Sequence, residues 1–141
     1  METTAKTQSK GKQLPKPNNI VTVPTNNVDF FKWWCVMLRP FVPLTNKEIE
    51  VIASFLRQRH ELSKTILDSD ALDTVVMSNA TKERVIKECN ITQSHFYVIM
   101  SNFRKHKVVV DNKLNPKLIP NIRPEDNGVF QFLIMFKTPQ A

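Results

Sequence analysis

Gln93, Ser94, His95 and Tyr97 open one amphipathic stretch of this chain, Asn102 follows two turns later, and Arg104, Lys105, Lys107 and Lys113 close it. Amides, hydroxyls and an imidazole grouped in this way offer hydrogen bonds to polar edges, and the clustered cations attract a polyanion. The alternative reading is a solvated polar face, which every amphipathic helix has. Residue groupings for other chemistry are missing. His60, His95 and His106 are scattered, no Cys/His spacing suits zinc, and no HExxH or GxSxG occurs. Asp68, Asp70 and Asp73 lack the glycine and glutamate of a calcium loop. Two glycines in 141 residues argue against a phosphate-cradling loop. The expectation is a protein that is not an enzyme and takes no cofactor, metal or small-molecule substrate.

The formal charge is +7, and its distribution matters more than its total. Residues 1–20 carry a net +3, residues 62–78 a net −2, and residues 79–113 a net +4. The excess therefore sits in a leading tail and in the segment just described, a pattern that suits nucleic acid; plain solubility is the competing explanation. Hydrophobic residues make up 41%, enough for one core. The longest apolar runs, such as Phe132 to Phe136, are far below the ~18–20 residues of a membrane span. The lysines near the N-terminus are not followed by an apolar stretch, so no secretory signal is read there. Cys35 and Cys89 are read as reduced, buried thiols.

Elements that position these groups follow from local patterning. Residues 1–27 read as an extended or disordered basic arm, either lying along DNA or a neighbouring subunit or simply frayed. Residues 28–141 read as one domain of α+β class. Within it, residues 28–38 (VDFFKWWCVML) predict a short helix capped by Asp29, apolar on most sides, serving a core or an interface. Thr45 and Glu48 form a capping box before a helix at about 46–60. A weaker pattern predicts a helix at about 64–77, its acidic cluster a solvated face.

Ser78 or Asn79 caps a helix running to about Cys89. Asn90 fits a tight turn needing positive φ, Ile91 plugs the turn, and Thr92 caps a second helix at about 93–105. Phe96, Met100 and Phe103 share a face, but Val98, Ile99 and Met100 form too long an apolar run for one stripe, so part of this helix is expected against another chain. Val108 to Val110 predicts a strand, Asp111-Asn112 a two-residue turn, and Lys113-Leu114 the returning strand. A last strand is expected over 129–137, apolar on both sides.

Helix, tight turn, helix and hairpin in this order resemble the winged helix-turn-helix family. Val85, Cys89, Ile91, Phe96, Met100 and Phe103 match its hydrophobic positions, and Thr92 its usual cap. Asn90 and Lys107 depart from it, each standing where glycine is common. The resemblance implies that Gln93, Ser94, His95, Tyr97 and Asn102 face base edges. Arg104, Lys105, Lys107 and Lys113 would then face phosphates, joined by Lys82, Arg84 and Lys87. The texture of residues 44–56 and 91–120 is also similar to small proteins of tailed phages, notably the crAss-like phages. That likeness implies a virion connector or ring component near DNA, or a phage regulator. Two expectations follow. The preferred one is a non-enzymatic assembly protein on a winged-helix scaffold, in a virion, with protein subunits and double-stranded DNA as partners. The other is a DNA-binding transcriptional regulator in the host cytoplasm. A membrane partner is expected for neither.

Overall fold

The computed structural model describes residues 24–122 and 137–139. The basic arm up to residue 23, and the expected strand up to residue 136, lie outside the described residues. Five helices precede a small antiparallel sheet: α1 (Asn27–Met37), α2 (Asn46–Ser63), α3 (Ser69–Val76), α4 (Asn79–Cys89) and α5 (Gln93–Lys105), then β1 (Val109–Val110), β2 (Lys113–Leu114) and a 3-10 turn (Pro116–Leu118). The architecture is mainly helical and compatible with the expected α+β class.

Helix α1 starts one residue before the expected boundary, and its cap is Asn26 rather than Asp29. The Asp29 N–H donates to Asn26 Oδ1 at 2.8 Å, and the Asn26 amide donates back to Asp29 Oδ2 at 3.1 Å. Both side chains suit a helix start, and the reciprocal pair places Asp29 three positions inside it, where a carboxylate also favours the helix dipole. Phe31 and Cys35 are buried on its inner face. The half-buried Trp34 donates its indole N–H to the Leu118 carbonyl at 2.7 Å, tying the first helix to the last turn. Trp33, Val36, Met37 and, beyond the helix, Phe41 remain exposed, so one side of α1 keeps apolar surface that the described core does not use.

Helix α2 is the centre of the core. Its N-terminus carries the expected capping box: Thr45 Oγ1 accepts from the Glu48 N–H at 3.2 Å, and Glu48 Oε1 accepts from the Thr45 N–H at 2.9 Å. Residues 48–56 are buried without interruption except Glu50, because other helices enclose α2 on several sides. The small side chains Ala53 and Ser54 let a neighbour approach: Ser54 and Arg57 both donate to Glu88 Oε1 on α4, and the Cys89 thiol lies 3.5 Å from the Glu50 carbonyl.

Helix α3 is shorter than expected. Asp68 Oδ2 accepts from the Ala71 N–H at 2.9 Å and starts it at Ser69. The acidic cluster is therefore more than a solvated face, since Asp68 is a cap and Asp73 pairs with Arg59 at 3.3 Å. Burial pushes the Cys35 thiol up to about 12 and raises that of Cys89, helped there by the Glu88 charge. Both are free and protonated at neutral pH. Among the described residues no helix is long and apolar enough to cross a membrane.

Candidate nucleic-acid interface

The candidate interface is built on the corner between α4 and α5. Ser78 Oγ accepts from the Thr81 N–H, and the buried Thr81 hydroxyl donates to the Val75 carbonyl at 2.9 Å, so the start of α4 is locked to the end of α3. At the other end Asn90 takes φ 53° and ψ 52°. The Ile91 N–H then reaches back to Ile86 O and the Asn90 N–H to Lys87 O, which satisfies the last carbonyls of α4. Asparagine tolerates this left-handed backbone better than any residue but glycine. Two residues on, Thr92 Oγ1 accepts from the His95 N–H at 3.1 Å and starts α5. Asn90, Ile91 and Thr92 thus make a three-residue turn, the connection length of helix-turn-helix units.

Phe96, Ile99, Met100 and Phe103 hold α5 down, all buried, with the Phe96 ring centroid 6.1 Å from that of Phe55 on α2. The apolar run is thereby divided: Ile99 and Met100 face the core of this chain, and only Val98 faces outward. Gln93, Ser94, His95, Tyr97, Arg104 and Lys105 are all exposed, as expected of groups available to a ligand. Gln93 Nε2 lies 3.4 Å from Tyr97 Oη, so these two side chains stand together one turn apart. Asn102 differs. It is half-buried, and its amide donates to Glu48 Oε2 at 3.1 Å, so it braces α5 against the start of α2 and is withdrawn from the outward face.

Helix α5 ends as α4 does, with Lys107 at φ 64°. The Val108 N–H bonds Phe103 O at 2.7 Å and the Lys107 N–H bonds Arg104 O at 3.3 Å. Lysine in this conformation costs about 1–2 kcal/mol that glycine avoids, partly offset by glycine's freer unfolded chain. Lys107→Gly is therefore expected to raise stability by about 0.5–1 kcal/mol in urea denaturation. The hairpin follows directly, with Val109 opposite Leu114 and Val110 opposite Lys113. Asp111 and Asn112 at φ 53° and 58° make the two-residue turn whose twist suits paired strands. Asn115 fastens its base, donating from Nδ2 to the Lys107 carbonyl at 2.9 Å.

Arg104 and Lys105 stand in the last turn of α5, Lys107 follows it and Lys113 opens β2, all exposed. Ion pairs among the described residues involve Lys47, Arg57, Arg59 and Lys64, and none neutralises these four or Lys82, Arg84 and Lys87 of α4. Among the described residues no group of three His, Cys, Asp or Glu side chains could hold a metal ion.

No family model matches the chain, and neither a curated protein nor a solved structure matches it.

Proposed function

We propose that this chain is a non-enzymatic double-stranded DNA-binding protein with a winged-helix core, in which α5 enters the major groove and the β1–β2 hairpin is the wing. The observation that carries this reading is the exposed outer side of α5, mostly polar and followed by Arg104, Lys105, Lys107 and Lys113, which form no ion pair among the described residues. A helix of this kind fits the major groove with its N-terminal residues toward base edges, while lysine and arginine beside it hold phosphates. The test is fluorescence anisotropy with a labelled random-sequence duplex at about 50 mM salt, where phosphate contacts are strong. Saturable binding supports the reading, and no binding at that salt overturns it.

A second reading is favoured by a specific observation, the apolar side of α1. Trp33 is 49% exposed and lines a shallow groove with Asp29, Lys32 and Val36, and Phe41, beyond the helix, is 67% exposed. Exposed aromatic surface of this sort suits a protein partner. The chain is then an assembly protein, a virion component of connector or ring type lying near DNA. Mass in solution separates the two. A monomer that takes up one duplex fits a regulator in the host cytoplasm, and a ring indifferent to DNA fits assembly alone.

A further inference from the structure

We propose that α5 is a reader of A·T base pairs, with Val98 packing on the C5-methyl of thymine and Gln93 pairing with adenine; this rests on the duplex-DNA reading above. Successive residues of a helix are turned by about 100°, so the direction opposite Phe96, Ile99, Met100 and Phe103 falls on Ser94, Val98, Ser101 and Lys105. Val98 is 56% exposed near the middle of that outward side, between two serines. A lone exposed valine needs no explanation on an ordinary surface. Here a second feature gives it one.

From Gln93 to Phe103 there is no Asp, Glu, Lys or Arg. Guanine is read most often by Arg or Lys at O6 and N7, and cytosine by a carboxylate at N4, so the part of α5 nearest the bases lacks both tools. What remains suits the other pair. A glutamine amide matches adenine N6 and N7, and an apolar side chain matches the thymine methyl. Gln93 is already steadied, because one N–H of its amide points to Tyr97 Oη at 3.4 Å. Its second N–H and its carbonyl stay available for adenine. The cations that would pull the helix into the groove begin only at Arg104, so phosphate attraction and base reading occupy different parts of one helix. Gln93 stands about 140° round the helix from Val98, so it reaches adenine from the flank of the helix start while Val98 meets thymine on the outward side.

The experiment selects preferred sites from a randomised duplex library with the full chain. It then compares the selected duplex with one in which each thymine in turn is replaced by deoxyuridine, which removes only the methyl. One position is expected to lose about fourfold in affinity, the worth of one buried methyl group. In Val98→Ser, whose folding is checked by its thermal melt, the same replacement is expected to make no difference. A G·C-rich site, no preference at all, or equal binding of thymine and deoxyuridine at every position overturns the inference while leaving DNA binding intact. So does a deoxyuridine effect that persists in Val98→Ser. Absence of binding to any duplex at low salt overturns the underlying reading as well.

Discussion

Phe96→Ala is expected to lower the unfolding free energy by about 3–5 kcal/mol, a large part of the roughly 5–15 kcal/mol typical of a whole domain. The side chain is fully buried, meets Phe55 at 6.1 Å between centroids, and lies edge-on to Tyr97 at 5.8 Å. Removing it deletes the main aromatic contact between α5 and α2, at a site where the flanking Ile99 and Met100 are already packed. Collapse around the gap is therefore limited. Tyr97→Ala, one residue away, is the internal control. Tyr97 is 54% exposed, and its loss is expected to cost no more than about 1 kcal/mol. Urea denaturation of both variants checks the pair, and equal costs would contradict an α5 that turns Phe96 inward and Tyr97 outward.

Removal of the four cations is expected to affect binding and leave the fold intact. In the combined variant Arg104→Ala, Lys105→Ala, Lys107→Gly and Lys113→Ala, duplex affinity is expected to fall by about 10³-fold at about 0.1 M salt, from four lost phosphate contacts. None of the four side chains forms an ion pair among the described residues. Their loss therefore removes no partner, and Lys107→Gly relieves a left-handed backbone position. The melting temperature is expected to hold or rise. Parallel loss of binding and stability would mean that these residues serve the fold.

The features legible in the sequence are those fixed by local backbone chemistry. Thr45, Ser78 and Thr92 cap helices because each hydroxyl reaches an N–H three residues ahead, a relation contained in adjacent sequence. Asn90 and the Asp111-Asn112 pair mark positive φ for the same reason. Features that depend on distant partners were not legible. Asp73 reads as solvated until α2 brings Arg59 beside it. Asn102 reads as a groove-facing amide, yet Glu48, 54 residues earlier, has one carboxylate oxygen to spare after its capping box and takes it. The run Val98-Ile99-Met100 reads as surplus, and the enclosure of α5 by its own core absorbs two of the three. The N-terminal cap of α1 shows a milder form of the problem. Asn26 and Asp29 both suit the role, and only the geometry shows which one precedes the helix.

The salt dependence of duplex binding shows whether α5 faces DNA. With the cations of α5 and the hairpin on phosphates, the logarithm of the association constant should fall linearly with the logarithm of salt concentration, with a slope of about −3 to −4 or steeper. A slope within about one unit of zero, or no binding at low salt, would contradict a DNA-facing α5.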